Sequence, residues 1–134
     1  MSVFTKIISG QIPSYKIAEN EEFFAFLDIN PNAPGHTLCV PKVEENKIFD
    51  LEAGAYGRLM EFSRIVAISL EKEVTCKRVG MAVVGLEVPH VHVHLIPLRD
   101  MDDMRFTNKV SLSNEEMSSI AARVHARFVA STNP

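Results

Sequence analysis

Apolar and polar positions in the first third of the chain follow patterns typical of one short helix and several strands. Apolar residues recur at near-helical spacing from Phe4 to Ile12. Gly10 and Pro13 break that run, which predicts a short N-terminal helix followed by a turn. Three apolar or aromatic runs then predict strands over residues 15–18, 23–27 and 37–40. The turn-forming residues of 28–35 predict a loop before the third strand.

Two longer apolar stripes predict the main helices. Residues 50–73 carry apolar positions on one helical face, although Gly54 and Gly57 disfavour its first turns. The stripe consists of Leu51, Leu59, Phe62, Ile65, Val66 and Leu70. Ser113 and Glu116 form the signature of a capping box, which predicts the start of an amphipathic C-terminal helix. Its apolar face consists of Met117, Ile120, Val124 and Phe128.

Two further strands and one polar segment complete the predicted elements. Residues 76–84 and 90–97 read as strands, residues 100–105 read as a polar loop, and the acidic stretch 100–103 within it reads as solvated. About five strands and two to three helices follow one another without regular alternation, which favours an α+β fold with an antiparallel sheet. The chain has 134 residues and no internal repeat or linker. We therefore expect a single domain over residues 1–134.

Composition and charge narrow the functional classes. The formal net charge is −3, so there is no electrostatic case for binding nucleic acid or an anionic membrane. No apolar run approaches the roughly 20 residues of a membrane span, and the N-terminus lacks the pattern of a signal peptide. Cys39 and Cys76 lie in apolar runs without motif spacing. We therefore expect two buried free thiols in a cytoplasmic protein.

Three histidines alternate with apolar residues in the last predicted strand. Successive side chains of a strand point to opposite faces, so His90, His92 and His94 are expected to share one face. Val91, Val93 and Leu95 then point into a core on the other face. Three imidazoles are unfavourable on a sheet face that serves only for packing, because each buried ring needs hydrogen-bond partners. The pattern therefore indicates a functional site.

Two chemistries suit this row of histidines. Imidazoles two residues apart can bind one metal ion, but His90 and His94 are separated by about 13 Å of strand at roughly 3.3 Å per residue. Only Glu87 offers a nearby carboxylate. Alternatively, a neutral imidazole can attack phosphorus while its neighbours stabilise charge or protonate a leaving group. This second chemistry needs no metal.

The same segment resembles a known family. Residues 89–97 read Pro-His-Val-His-Val-His-Leu-Ile-Pro and match the His-φ-His-φ-His-φ-φ motif (φ is apolar) of the histidine triad (HIT) family. Residues 26–31 (Phe-Leu-Asp-Ile-Asn-Pro) and 33–42 (Ala-Pro-Gly-His-Thr-Leu-Cys-Val-Pro-Lys) resemble a second signature of that family, as does the opening segment 4–13. The similarity spans roughly residues 3–99, and the Hint-like bacterial branch is the most similar.

The resemblance implies a fold and an activity. It implies a five-stranded antiparallel sheet that is doubled across a homodimer. It implies hydrolysis of nucleotide conjugates, typically purine nucleoside phosphoramidates or acyl-nucleotides, at the α-phosphate. The partner is then a purine nucleotide substrate, and no cofactor or metal is expected. A dinucleoside polyphosphate hydrolase, a nucleotidyltransferase, a nucleotide-binding scaffold with little catalysis and a metal-binding protein stay open as alternatives.

The resemblance also assigns roles to individual residues. His92 would be the nucleophile that forms a nucleotidyl-histidine, and His94 would contact the phosphate and help the leaving group. His90 and His36 would orient and polarise the site. The nucleotide-binding candidates are Asp28 for the ribose hydroxyls, Ile29, Phe4 and Ile7 for the base, and Glu87.

The segment before the triad departs from the family pattern. Val79 stands where relatives usually carry Asn, and Leu86 stands where they carry Gln. Leu cannot form the hydrogen bond that an amide offers near the phosphate, a loss on the order of 1–3 kcal/mol of transition-state stabilisation. Glu87 either faces the phosphate or points away. These departures affect the expected rate and the choice of leaving group but leave the nucleophile in place.

Overall fold

One antiparallel sheet organises the molecule, as a computed structural model describing residues 1–133 shows. The five strands of this described range lie in the order β1-β2-β3-β5-β4. Their bounds are β1 Lys16–Glu19, β2 Phe23–Leu27, β3 Thr37–Pro41, β4 Arg78–Ala82 and β5 Val93–Leu98. All neighbouring strands run antiparallel. The predicted α+β fold with a five-stranded antiparallel sheet is confirmed.

Three α-helices accompany the sheet within the described residues. Their bounds are α1 Val3–Ile8, α2 Ala53–Glu73 and α3 Asn114–Thr132. Helix α2 begins later than predicted, because residues Ile48–Asp50 form a separate 3-10 turn and Glu52 caps the helix instead. Helix α3 begins after Ser113, and both hydrogen bonds of the predicted capping box with Glu116 are present.

The long helices cover one face of the sheet. Their predicted stripes meet β-strand residues in the main core, where Leu59, Val66 and Leu70 of α2 and Val124 of α3 are fully buried. Val91, Val93 and Leu95 join this cluster, as the alternation predicted. The other face carries a smaller apolar cluster made of Phe4, Phe24, Phe26, Leu38 and Val40. Because side chains alternate along β5, the histidines that alternate with Val91, Val93 and Leu95 point toward this second face.

The predicted strand at 90–97 starts too early. Strand β5 begins at Val93, because its ladder with β3 ends at the pair Cys39–Val93. Further along β3, Pro41 has no N–H to offer, and its carbonyl accepts a hydrogen bond from the side chain of His90. The backbone N–H of Val91 instead donates to Glu45 in the loop after β3. His90 and His92 therefore lie in irregular backbone ahead of the strand.

The prediction that the acidic stretch 100–103 is a solvated loop is wrong for one of its residues. Residues Met101–Met104 form a 3-10 turn, and the carboxylate of Asp103 is buried. Asp103 accepts hydrogen bonds from the backbone and the guanidinium of Arg99. These contacts, with the Arg99 guanidinium as the main cause, hold the pKa of Asp103 below its usual range. This pair fixes the chain as it leaves β5.

Both cysteines are free thiols, as predicted. Cys39 is buried in the main core, and burial raises its pKa to about 12. Cys76 is half-buried rather than buried, because it precedes β4 at the edge of the sheet. Among the residues that the structure describes, no helix is both long enough and apolar enough to cross a membrane.

Candidate active site

His90 is locked between the N-terminal helix and β3. Its Nε2 lies 2.7 Å from the carbonyl oxygen of Pro41, and its Nδ1 lies 2.6 Å from the hydroxyl of Ser2. A carbonyl only accepts, so Nε2 carries the hydrogen and Nδ1 of the neutral ring accepts from Ser2. The Ser2 hydroxyl in turn caps α1 by accepting from the N–H of Thr5. His90 is fully buried, so its ring contacts only protein groups.

His92 receives its orientation from His90. The Nδ1 of His92 lies 2.7 Å from the backbone carbonyl oxygen of His90 and donates to it. In the neutral ring the lone pair is therefore on Nε2. None of the side-chain hydrogen bonds of residues 1–133 uses this Nε2. The ring of Phe4 packs edge-to-face against His92 at 5.0 Å between centroids and holds the imidazole from one side. The result is a fixed imidazole with a free nucleophilic nitrogen.

His36 reaches the site from a turn that requires glycine. Gly35 adopts a φ of +89°, and a Cβ at this position would come within 3.0 Å of Pro97 and Val74. Beyond the turn, the backbone N–H of Asn32 donates to Nδ1 of His36 at 3.0 Å. Nε2 of the neutral His36 ring therefore carries the hydrogen.

This hydrogen determines the state of His94. His36 Nε2 lies 3.0 Å from Nδ1 of His94 and donates to it, so neutral His94 carries its own hydrogen on Nε2. The rings of His92 and His94 lie 4.9 Å apart. A lone pair on His92 and an N–H on His94 are thus neighbours. This arrangement can combine nucleophilic attack with hydrogen-bond donation to a leaving group.

Burial keeps these imidazoles neutral. Desolvation is the main cause that lowers the pKa of His36 to about 3 and the pKa of His94 to about 4. The charges of neighbouring histidines and of Lys109 act in the same direction. Burial also lowers the pKa of His92, although the carbonyl of His90 and the carboxylate of Asp28 oppose that change. Near neutral pH the His92 ring therefore keeps its lone pair.

We predict that acid destabilises the fold through His36 and His94. An unfolded histidine titrates near pH 6.5, so from there down to about pH 3 to 4 the unfolded chain binds more protons than the folded chain. The free energy of unfolding therefore falls as pH is lowered, by roughly 1.4 kcal/mol per pH unit for each such imidazole. Urea unfolding at pH 7 and pH 5 measures this fall. In H36N the fall should be smaller, and an equal fall in both proteins would contradict the assignment.

Asp28 stands beside His36 at the end of β2. The backbone N–H of Asp28 donates to the carbonyl of His36, and its Oδ2 lies 3.7 Å from His36 Nε2. Its other carboxylate oxygen accepts from the N–H of Asn30 in an Asx-type turn. Burial raises the pKa of Asp28 despite that hydrogen bond. The carboxylate thus combines a structural contact with a position at the edge of the histidine cluster.

The other predicted nucleotide-binding residues are placed unevenly. Phe4 is buried against the rings of His90 and His92. Ile7 is half-buried on the second apolar cluster, whereas Ile29 is 73% exposed beside Asp28. Glu87 is exposed, and its charge acts on Asp28 and His92. The structure therefore gathers Phe4 at the histidines and leaves Ile29 and Glu87 on the open surface around them.

The side chains of Val79 and Leu86, the two departures from the family pattern, form no hydrogen bonds because both are apolar. Leu86 is 90% exposed and lies in the loop after β4. Val79 lies on β4, and its side chain packs against the main core. Neither side chain can therefore supply the hydrogen bond that the resemblance leads one to expect of an amide at these positions.

Four residues of the site were missed by reasoning from the sequence. Ser2 bonds to His90, Asn32 to His36, and the ring of Phe106 lies 4.8 Å from that of His94. Lys109 lies 5.4 Å from the Phe106 ring centroid. The Ser-x-x-Thr cap signal at residues 2–5 and the turn sequence around Asn32 were visible signals. Nothing in the polar run 105–112 marked Phe106 or Lys109.

The side-chain atoms that lie close enough together to bind one metal ion do not belong to the predicted row of three histidines. Ligand atoms of Asp28, His36 and His94 lie within 4.8 Å of one another, which is the one such group in the part of the chain that the structure describes. A metal ion would need a lone pair on His36 Nε2. That nitrogen carries a hydrogen, because Nδ1 already accepts from Asn32. The hydrogen bonding of the site therefore suits proton transfer better than metal binding.

The sheet and its cluster of histidines are those of a histidine-triad protein. The chain belongs to the HIT domain family, whose family model matches residues 9–101.

Named relatives agree with this family. An uncharacterized HIT-like protein of Borreliella burgdorferi is 30% identical over 91% of this chain and 94% of its own length. The adenosine 5'-monophosphoramidase HNT1 of Saccharomyces cerevisiae is 36% identical over 73% of this chain and 63% of its own length. The chain therefore spans slightly less than two thirds of the yeast protein.

Solved structures share the fold. A Hit-like protein involved in cell-cycle regulation from Bartonella henselae superposes with a TM-score of 0.82 at 25% identity, covering 94% of this chain and 95% of that chain. A HIT family protein from Bacillus anthracis gives 0.71 at 30% identity, covering 98% and 96%. A Zn-bound histidine triad family protein from Mycobacterium smegmatis gives 0.81 at 22% identity, covering 96% and 93%. This last likeness concerns the fold alone.

Proposed function

We propose that this protein hydrolyses nucleotide conjugates at the α-phosphate through a nucleotidyl-histidine intermediate on His92. The observation that carries the proposal is the free Nε2 of His92 beside the N–H of His94. Both rings are oriented by hydrogen bonds to their Nδ1 atoms. The proposed substrates are purine nucleoside phosphoramidates and related conjugates, in agreement with the named activity of the yeast relative.

The proposed reaction has two steps. His92 Nε2 attacks the α-phosphorus, and the bond from phosphorus to the leaving group breaks as that group takes the Nε2 proton of His94, which enters this step as imidazolium and leaves it as the neutral ring. An anionic phosphate next to His94 raises the imidazole's proton affinity, which favours the form that can donate. Water then attacks the nucleotidyl-His92, returns its proton to His94 and releases the nucleoside monophosphate. His90 and His36 hold the two reacting rings in place.

The nucleoside is proposed to lie over the open face beside α1. The carboxylate of Asp28, which is half-buried at the edge of the histidine cluster, is proposed to accept hydrogen bonds from the ribose hydroxyls. Ile29 is exposed and Ile7 half-buried, so both can contribute apolar surface to a base, with Phe4 behind them. Glu87 is proposed at the rim, near the phosphate. The Hint-like branch is proposed on the same motifs.

Turnover of adenosine 5'-phosphoramidate tests the activity. The proposal expects release of one AMP and one ammonia for each substrate, at a rate proportional to enzyme and insensitive to chelators. Chromatographic separation of AMP from substrate measures it. Binding of AMP without any turnover of phosphoramidates would overturn the hydrolase and leave a nucleotide-binding protein.

We also propose a homodimer formed through β4, in the reducing cytoplasm that suits two free thiols. β4 is an edge strand, and exposed apolar side chains lie on it and just after it. These are Met81, Val83, Val84 and Leu86. An antiparallel edge can pair with its own copy about a twofold axis and so cover this surface.

Light scattering coupled to gel filtration tests the dimer. The wild type should elute at twice the 15.0 kDa chain mass. A lysine in V84K places a charge in the proposed interface and should shift the protein to the monomer. V129K introduces the same charge on the exposed side of α3 and should leave the dimer intact. A monomeric wild type, or equal behaviour of both variants, would contradict the proposal.

A further inference from the structure

The site faces an anionic substrate with little positive charge of its own. Its histidines are largely neutral, and the carboxylates of Asp28 and Glu87 lie nearby. Lys109 is a cation whose charge acts on Asp28, His36 and His94 alike. The Lys109 ammonium can therefore attract a negatively charged phosphate or leaving group to the site.

Lys109 is held on the His94 side of the cluster. Its Nζ donates to Oδ1 of Asn32 at 2.8 Å and lies 5.4 Å from the ring centroid of Phe106. The Phe106 ring is 4.8 Å from that of His94, again between centroids. The ammonium thus lies near the Phe106 ring that packs against His94, the residue proposed to meet the leaving group.

Asn32 fixes this arrangement. It is 2% exposed, its Nδ2 donates to the carbonyl of Asp103, and its Oδ1 accepts from Lys109. The N–H of Val110 adds a hydrogen bond to the carbonyl of Pro31. The segment from Asp103 to Val110 is therefore tied to the turn that carries His36. Lys109 itself is exposed, so its ammonium can exchange one of its hydrogen bonds for a ligand.

We propose that Lys109 binds a negative charge on the leaving group, so that the enzyme prefers nucleotide conjugates whose leaving group is anionic over those that release a neutral amine. This inference rests on the proposed hydrolysis through His92. With a dinucleoside polyphosphate, the bond from His92 Nε2 to the α-phosphorus forms while the bond from that phosphorus to the bridging oxygen breaks. The oxygen leaves with the remaining phosphates, whose charge Lys109 neutralises, and water then releases AMP.

Three adenosine substrates separate charge from chemistry. The phosphoramidates of propylamine and β-alanine break the same kind of phosphorus–nitrogen bond, but only the second leaving group carries a carboxylate. Diadenosine triphosphate carries phosphate charge instead. The three are assayed with the wild type, with K109M, which keeps the chain length and removes the charge, and with K109R. K72M on the exposed surface of α2 is the matched control.

The expected result is a loss in K109M of about tenfold in kcat/KM for one or both anionic substrates, the size of a hydrogen bond to a charged group. The propylamine compound should be cleaved as by the wild type, and K109R should keep most of the preference. A loss confined to diadenosine triphosphate assigns phosphate, and a loss confined to the β-alanine compound assigns carboxylate. Equal losses for all three substrates, or none, would overturn the inference. A wild type that cleaves none of them would overturn the proposed function itself.

Discussion

Replacing His92 by glycine is expected to lower kcat on adenosine 5'-phosphoramidate by about 10⁴-fold or more, the size of loss seen when a covalent nucleophile is removed. The neighbouring His94 cannot take over, because its free nitrogen carries a hydrogen while its Nδ1 accepts from His36. KM should change little, since the contacts of Asp28 and the apolar residues stay in place. Initial rates over a range of substrate concentrations measure both constants.

The control for this variant is another histidine outside the site. His125 lies on α3 and bonds to the carbonyl of Ile17, so H125Q should keep wild-type turnover. Thermal unfolding of both variants checks that each is folded. A kcat for H92G within tenfold of the wild type would remove His92 from the chemistry, whatever the fate of the fold.

Replacing His94 by asparagine is expected to lower turnover of amine-releasing substrates by about 10²- to 10³-fold, the usual contribution of a general acid. The amide oxygen of H94N still offers an acceptor to His36 Nε2, so the rest of the cluster keeps its hydrogen bond. An amine needs a proton as it leaves, whereas p-nitrophenolate does not. The nitrophenyl ester of AMP should therefore be cleaved with a much smaller loss.

The ratio of the two rates is the informative quantity. A structural defect lowers the rates on both substrates alike, whereas loss of a proton donor lowers the rate on the amine alone. Equal losses for the phosphoramidate and the nitrophenyl ester would mean that His94 positions the site without donating a proton.

Much of the fold followed from local patterns. The aromatic run at β2 and the apolar run at β3 are buried over their whole length. A short apolar run of this kind, bounded by turn residues, predicts a buried strand from the sequence alone. The capping box of α3 is a local signal with its own hydrogen bonds, and it was confirmed in full. The alternation around the triad also placed Val91, Val93 and Leu95 in the core. That the single domain extends over residues 1–134 stays a prediction.

The start of β5 could not be read from the same pattern. His90 and His92 continue the alternation, but whether they pair in the sheet depends on what stands opposite them. Continuing the register of β3 and β5 would put Val40 opposite His92 and Pro41 opposite Val91, and Pro41 has no N–H with which to extend the ladder. Asp103 illustrates the same limit, because its burial depends on the arginine four residues earlier that turns back onto it.

The candidate site was only half visible for a related reason. The triad, His36 and Asp28 lie in distinct motifs, so their residue types marked them. Ser2 acts on a histidine 88 positions away, and Lys109 bonds to an asparagine 77 positions away. Contacts of this kind exist only after the sheet has brought the segments together. In the sequence alone, Ser2 and Lys109 look like ordinary surface residues.

The central claim is the covalent intermediate on His92, and one measurement tests it most directly. The wild type is mixed with adenosine 5'-phosphoramidate, stopped within milliseconds in alkaline denaturant, which preserves the acid-labile phosphorus–nitrogen bond, and digested for mass spectrometry. The account predicts an adenylyl group on the peptide that contains residues 90–94, located at His92, formed and lost at rates no slower than turnover. Turnover at an unchanged rate with the adenylyl group on another residue, or no adduct even when its hydrolysis is rate-limiting, would contradict it.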